Sequence, residues 1–418
     1  VFFWQRDGAT SDSVSGAAYS PGINVPYNIA SRHGSTFING AVDGTALTEN
    51  DTPTALPDLS ATDFDIGPTF MGNIGKLRVW AEDLTDEGIS TASAPTFTTE
   101  FAMVVTTTTA DETFTIPCQN VGTFDAGIEW GDGSVSSISA YNDAGLTHTY
   151  ATAGDHLIRI RGSFPNIYFN NGGDRLKVKS VENLGDVGWE ALIRAFFGCS
   201  NMTTFTVGNT DTSSVTSMSS MFRGCPSITS LDVSGFNTSS VTDMSSMFQN
   251  CSSITSLDVS GFDTSSVTNM TNMFRGCSSL TSLDVSGFNT SSVISMERVF
   301  RDCSSLTSLD VSGFDTSSVT DMGDMFRGCS SLTDVVGVED FDIEGLDSTA
   351  DLNNFMTDVT LPTARYDALL VNWDAQEPFD GMSPDFGNST YTAGSAAATA
   401  RANLISNDGW TITDGGTA

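Results

Sequence analysis

The stretch Asn237-Thr-Ser-Ser-Val241-Thr-Asp-Met244-Ser-Ser-Met247-Phe248-Gln249-Asn250-Cys251-Ser-Ser-Ile254-Thr-Ser-Leu257-Asp258-Val259-Ser260-Gly261-Phe262 decides how this chain folds, because it is one copy of a unit that returns every 26 residues. Cys199, Cys225, Cys251, Cys277, Cys303 and Cys329 mark the period. A fixed period in the twenties is the signature of a solenoid, in which each repeat stacks on the last. Such an array offers a long regular surface instead of one deep pocket. That shifts the expectation from catalysis toward binding and scaffolding.

Within the unit, Val241, Met244, Phe248 and Cys251 fall at i, i+3, i+7 and i+10. This spacing predicts one apolar face of a short helix, with the preceding Thr/Ser cluster as N-cap candidates. Leu257 and Val259 then alternate with Ser256, Asp258 and Ser260, which predicts a half-buried strand. Gly261 and the Asn or Asp after Phe262 read as the turn. Each coil is therefore expected to hold a short helix and a strand, the strands stacking into a parallel sheet.

Two rows of charge follow from the period. Asp232, Asp258, Asp284 and Asp310 share one outward strand position, each flanked by serines. Strands stacked about 4.8 Å apart set neighbouring carboxylates to repel by roughly 1 kcal/mol in water. Solvent, a cation or a ligand offering donors must relieve that. The row reads either as a solvated face that stops sheet-to-sheet aggregation or as a surface contacting a cation or a glycan. Calcium is the one cofactor the row would admit; no other is implied. Arg223, Gln249, Arg275, Arg301 and Arg327 form a second row. It reads either as surface pairing with carboxylates such as Asp302 or as a ladder of planar donors for an anionic glycan or a protein. The Asp211, Asn237, Asp263, Asn289, Asp315 row is expected to bond turn amides. The cysteines read as small buried apolar residues with reduced thiols. No Cys-x-x-Cys exists, and His33, His148 and His156 lie outside the array, which weakens a metal reading.

The 418 residues carry 51 acidic against 17 basic side chains, a net charge of −34. Such a field opposes binding to nucleic acid or an anionic membrane. No apolar run is long enough to span a bilayer, so no membrane insertion is expected. The start, Val1-Phe2-Phe3-Trp4-Gln5-Arg6-Asp7, lacks the pattern of a signal peptide, and Val1 is expected to lie inside a longer polypeptide or to follow a cleavage.

The unit Leu-Thr-Ser-Leu-Asp-Val-Ser-Gly-Phe-Asn, at Leu280–Asn289, followed by Thr-Ser-Ser-Val, resembles the bacterial-surface type of leucine-rich repeat over about residues 181–345. Glu129-Trp130-Gly131-Asp132-Gly133, then Thr147-His148-Thr149-Tyr150 and Gly154-Asp155-His156-Leu157-Ile158-Arg159-Ile160, resembles a polycystic-kidney-disease (PKD) type β-sandwich, with Asp132 fixing the turn. Thr36-Phe37-Ile38-Asn39-Gly40 reads as a strand into an Asn-Gly turn. With Phe64–Gly67, Met71–Trp80 and Leu84–Glu87 it looks like the second half of a laminin-G or concanavalin-like jelly roll. Tyr366, Leu369, Leu370 and Trp373 mark a helix face, Ala396–Ser406 an Ala-rich helix and Trp410–Thr413 a final strand. These cap the last open coil, and Ala418 is expected near the C-terminus.

The expected organisation is multidomain and mainly β: residues 1–94 a partial jelly roll, 95–172 a PKD-like β-sandwich, 173–345 an α/β leucine-rich-repeat-like solenoid and 346–418 an α/β cap. Neither Gly-x-Ser-x-Gly nor His-Glu-x-x-His occurs, and no enzyme is expected. What the resemblances imply is a non-enzymatic virion protein, the distal tail fibre or receptor-binding component of a bacteriophage. Its partners would be a host cell-surface glycan or protein and other virion tail proteins. The alternative is a secreted or surface-anchored bacterial adhesin. The candidate contacts are Asp232, Asp258, Asp284 and Asp310 or Arg223, Arg275, Arg301 and Arg327. A homotrimer stays open, because no heptad coiled coil enforces one.

Overall fold

The computed structural model describes residues 2–7, 10–15, 29–34, 37–42, 45–46, 99–348 and 351–418. The chain divides into two compact units, Val1–Thr96 and Phe97–Ala418. The described part is mainly β, with one multi-strand sheet and two α-helices.

In the first unit, β1 (Phe2–Asp7) pairs antiparallel with β2 (Thr10–Ser15). β3 (Ile29–Gly34), β4 (Phe37–Val42) and β5 (Thr45–Ala46) form a three-stranded antiparallel meander. The expected Asn39-Gly40 turn is not there. Both residues lie inside β4, opposite Arg32 and Ser31. The chain reverses earlier, where Gly34 pairs with Phe37, and that register carries Asn-Gly into the ladder. A turn dipeptide reverses a chain only when its flanks can pair across it. The readings on Phe64–Gly67, Met71–Trp80 and Leu84–Glu87 lie outside the described residues.

The second unit opens with β6 (Phe101–Thr107), β7 (Glu112–Thr115), β8 (Asp125–Glu129), β9 (Val135–Ile138), β10 (Thr147–Tyr150) and β11 (Gly154–Ser163). β12 (Val178–Asn183), β13 (Thr204–Thr206) and β14 (Ser230–Asp232) follow. Seven of these form one sheet in the order β14-β13-β12-β6-β11-β8-β9, while β7 and β10 pair separately. The sheet is antiparallel from β9 to β12 and parallel from β12 to β14. It therefore runs from the first strands of this unit into the repeat array. Phe101, Met103, Phe114, Trp130, Tyr150, Ile158 and Ile160 are buried in its core. The Gly131-Asp132-Gly133 turn joins β8 to β9 with both glycines at positive φ. A Cβ on Gly131 would fall 2.6 Å from the Leu157 amide nitrogen, so the close approach of β11 requires glycine there. Tyr150 Oη donates to the Trp130 carbonyl at 2.9 Å and ties β10 to this turn.

The repeat units bury the side chains the pattern selects but not in the predicted helix. Val241, Met244, Met247, Phe248 and Cys251 are fully buried. Yet the segment is a run of turns, and Ser246 and Asn250 take positive φ of 57° and 62°. A helix cannot pass through a left-handed residue, and a Ser-, Thr- and Asn-rich segment has little propensity to resist the break. The amides find partners in alternation. Met247, Gln249 and Cys251 donate three residues back, to Met244, Ser246 and Phe248. Met244, Ser246, Phe248 and Asn250 donate to the next unit, at Asn269, Thr271, Met273 and Arg275, over 2.7–3.1 Å. Every second amide thus links two units, which satisfies the backbone without a helix.

The predicted strand in every coil is also corrected. Leu257 and Val259 are buried while Ser256, Asp258 and Ser260 are exposed, so the alternation is real. Strand pairing at this row is confined, among the described residues, to β12–β13–β14 and to β15 (Leu309–Asp310) with β16 (Val335–Val336). All along the row the Asp takes up the amide two residues on, paired strand or not: the Ser260 amide, for one, donates to Asp258 Oδ1 at 3.0 Å, and the strands that do form stop at Asp232 and Asp310. Local side-chain bonds of this kind compete with the sheet.

Through the centre runs a ladder of phenylalanines. Phe196, Phe222, Phe248, Phe274, Phe300 and Phe326 stack with centroids 5.6–6.0 Å apart. The geometry then turns edge-on, Phe326 to Phe355 at 5.4 Å, and passes to Trp373 and Phe386. α1 (Thr363–Asp374) buries Tyr366, Leu369, Leu370 and Trp373, the predicted face. α2 (Ala396–Ser406) starts at Ser395, whose Oγ accepts the Ala398 amide, and buries Ala397, Ala400 and Leu404. The predicted strand at Trp410–Thr413 is reduced to one bridge, Thr413 with Asp385.

A left-handed position closes each turn run, occupied by Gly224, Asn250, Gly276, Asp302 and Gly328. Neighbours interlock here. A Cβ on Gly276 would fall 2.4 Å from Asn250 Oδ1, and one on Gly328 would fall 2.6 Å from Asp302 Oδ1. The polar side chain of one unit occupies the space that glycine leaves in the next.

Candidate functional site

Asp232, Asp258, Asp284 and Asp310 are all exposed. Each closes a small turn. Its Oδ1 accepts the amide of Ser234, Ser260, Ser286 or Ser312 at 2.9–3.1 Å and the hydroxyl of the same serine at 2.6–2.7 Å. The side-chain and backbone bonds from serine hold the carboxyls of Asp258, Asp284 and Asp310 below the usual carboxylate range. The charged row is thus stabilised by donors within each unit, which sequence reasoning left to solvent, a cation or a ligand. Calcium takes six to eight oxygens. Here each carboxyl has one oxygen committed to its own turn. Among the described residues no three His, Cys, Asp or Glu side chains are grouped to hold a metal ion.

The Asp211, Asn237, Asp263, Asn289, Asp315 row bonds turn amides as expected, accepting from the serine two residues on at 2.9–3.2 Å. The residue after each was read as a cap candidate and has a larger role. Thr212, Thr238, Thr264, Thr290 and Thr316 are buried. Thr264 Oγ1 donates to the Asn289 carbonyl at 2.9 Å and accepts the Asn289 amide at 2.8 Å, so one hydroxyl satisfies both backbone groups of the next unit.

The arginine row splits. Arg223 lies over the Phe197 ring at 5.0 Å, and Gln249 is buried. Arg275, Arg301 and Arg327 instead come together with Arg298, which sequence reasoning missed. Arg298 takes a left-handed position held by Ser220, Ser246 and Asn272 in earlier units and by Asp324 in the next. The departure of that row from small polar residues was the available signal. Asp324 is buried and receives three guanidinium groups: Arg298 Nε at 3.2 Å, Arg301 Nη1 at 3.3 Å and Arg327 Nη1 at 3.1 Å. Arg298 also meets Glu297 at 2.5 Å, and Arg301 meets Asp302 at 3.4 Å. Arg275 has the weakest partners, Asp302 at 3.8 Å and Asn272 Oδ1 at 3.5 Å. Burial and then the nearby Arg301 lower its proton affinity, with Arg298 adding to the effect and Asp302 opposing it.

Beside this cluster, burial pushes the half-buried Asp321 carboxyl up to about 6. The Gly323 amide and Arg298 oppose that shift, while Glu297 and Asp351 reinforce it. In the β-region Asp132 fixes its turn, accepting the Ser134 amide at 2.9 Å and pairing with His148 Nε2 at 2.7 Å. Burial raises its carboxyl, but the bonds from His148 and Ser134 win and hold it at about 2. All seven cysteines are free thiols. Five of the six in the array donate to the phenylalanine carbonyl of the unit before, as Cys251 does to Phe222 at 3.1 Å. Burial pushes their acidity far out of the reactive range, with Cys277 and Cys329 at about 12.

The family model described as "Mycoplasma protein of unknown function, DUF285" matches residues 190–283 and 254–364. No curated protein and no solved structure matches the chain.

Proposed function

We propose that this chain is a non-enzymatic structural and adhesion protein whose repeat array is a leucine-rich-repeat-like solenoid that contacts a cell surface. Its place would be the distal tail fibre or receptor-binding part of a bacteriophage, among other virion tail proteins. The ligand would be a glycan or protein of the host surface. The observation that carries this reading is the repetition of exposed charge on a rigidly linked scaffold. Asp258, Asp284 and Asp310 recur at one exposed position, above units joined by alternate amides and buried threonines. Preorganised, periodic side chains suit a repetitive ligand, because little order has to be gained on binding. The test is the intact mass of the native polypeptide and what co-purifies with it. Virion proteins travelling with a longer chain would support the fibre. A processed chain in a cell-envelope fraction would overturn it.

The second reading is a secreted or surface-anchored bacterial adhesin; the description of the matching family names a bacterium, Mycoplasma, and no function. The same measurement separates the two.

A further inference from the structure

We propose that Arg275, Arg298, Arg301 and Arg327 form a binding site for the oxyanions of an acidic polysaccharide, whether sulfate esters or uronate carboxylates. Three of the four arginines occupy the same position in successive units. Each follows a phenylalanine of the central ladder, Phe274, Phe300 or Phe326, whose rings are spaced 5.7–5.8 Å apart. The guanidinium groups are therefore anchored at a regular step.

Charge decides what such a site takes. Four of the chain's 17 basic residues gather here; the carboxylates they touch are Glu297, Asp302 and Asp324, and Asp321 lies beside Arg298, so what marks the site is the density of guanidinium donors. Asp324 holds three arginines in place from beneath and acts as a positioning residue. The side chains of Arg275, Arg298 and Arg327 remain 32–40% exposed. A guanidinium carries five N–H donors in a planar fork. The contacts above use one or two of them on each arginine, so donors stay free for an incoming anion. Arg275 is the residue left wanting: its carboxylate is distant and shared, and it sits among like charges. An oxyanion bridging Arg275 and Arg301 would complete the set with charge-assisted bonds.

A polymer fits better than a free ion. The same donor recurs along the array, and linked anions engage neighbouring sites at high effective concentration. At a net charge of −34 the molecule repels polyanions at long range, so retention of one cannot be generic ion exchange. The polysaccharide part of the proposal rests on the adhesion reading; the oxyanion site does not.

The experiment uses the whole chain in affinity electrophoresis through dextran sulfate, polygalacturonate and neutral dextran. The variants are Arg275→Gln, Arg275→Lys, Arg275→Gln with Arg301→Gln, and Lys179→Gln as a control distant in sequence. Arg275→Gln removes only long contacts, and its unfolding midpoint checks that the fold persists. The expected result is retardation of the wild-type chain by one or both acidic polymers and not by dextran. Affinity should fall about tenfold in Arg275→Gln and further in the double variant, with Lys179→Gln unchanged and Arg275→Lys between. Dextran sulfate alone would identify sulfate esters, and polygalacturonate alone carboxylates. Equal retardation of wild type and Arg275→Gln, or none of the wild type, overturns the site. Cell binding by an Arg275→Gln chain that the polymers retard as strongly as wild type overturns the site and leaves adhesion standing. Polymer retention by a chain that decorates no cell leaves the site standing and removes the adhesion reading.

Discussion

Asp321→Asn should stabilise the protein, and only above a definite pH. The carboxyl sits half-buried, with Glu297 and Asp351 adding like charge, and its folded value is about 6 against an ordinary 3.8. Between those two values the folded state binds the proton more tightly than the unfolded chain. Stability therefore falls as pH rises through this window, and the full cost is present above pH 6. Below pH 3.8 the group is protonated in both states and costs nothing. A gap of about two pH units corresponds to at most about 3 kcal/mol. Solvent reaching a half-buried carboxylate reduces that to about 1–2 kcal/mol. Asparagine removes the charge and keeps the local bond. Asp321 Oδ1 accepts the Gly323 amide at 2.9 Å, and Asn269 accepts Thr271 in the same way at 3.0 Å in an earlier unit. The assay is urea unfolding of both proteins from pH 4 to pH 8, followed by tryptophan fluorescence. The difference between them cancels the many other carboxylates. The variant should match wild type near pH 4 and exceed it by about 1–2 kcal/mol at pH 8. A difference that does not grow across this range, or a variant weaker at pH 8, refutes the reasoning.

Thr264→Val should cost about 1–3 kcal/mol, because it removes the one hydroxyl that bonds both backbone groups of Asn289 at a half-buried joint, whereas Thr264→Ser keeps the hydroxyl and should cost about 1 kcal/mol or less. Denaturant midpoints of the two variants check this, and equal losses would contradict the hydroxyl's role. Gly276→Ala should lose about 1–2 kcal/mol for the left-handed backbone plus the collision with Asn250. Gly224→Ala, whose new Cβ meets nothing closer than 3.8 Å, should lose only the backbone part. The six array thiols, as distinct from the half-buried Cys118, should resist a disulfide reagent at pH 8 until the chain unfolds, since they are buried and pushed far up in pKa. Stoichiometric labelling of these thiols in the folded protein would count against that.

The period and the inward face of each unit were legible because they depend on which side chains leave water. Val241, Met244, Phe248 and Cys251 were picked out by spacing and are buried. The helix was not legible as absent, because the same spacing serves a run of turns. What separates the two is the left-handed backbone at Ser246 and Asn250, which apolar periodicity does not record. Thr264 looked like a cap and proved to be a link between units, since a hydroxyl's partner lies a whole unit away in sequence. At the candidate site Arg275, Arg301 and Arg327 were found by column. Arg298 and Asp324 sit in another column and join them only in three dimensions. Asn39 and Gly40 failed for a related reason: a strong local turn signal yielded to a register set at Gly34 and Phe37.

The interlock of Asn250 with Gly276 and of Asp302 with Gly328 gives the array a grammar of couplets. Losing a single unit from between them would set Asn250 against Asp302, two side chains competing for a gap sized for none. Losing two units would set Asn250 against Gly328 and leave the joint intact. Growth or shortening of this array by recombination should therefore proceed by even steps, and homologous arrays should differ in length by pairs of units more often than by one.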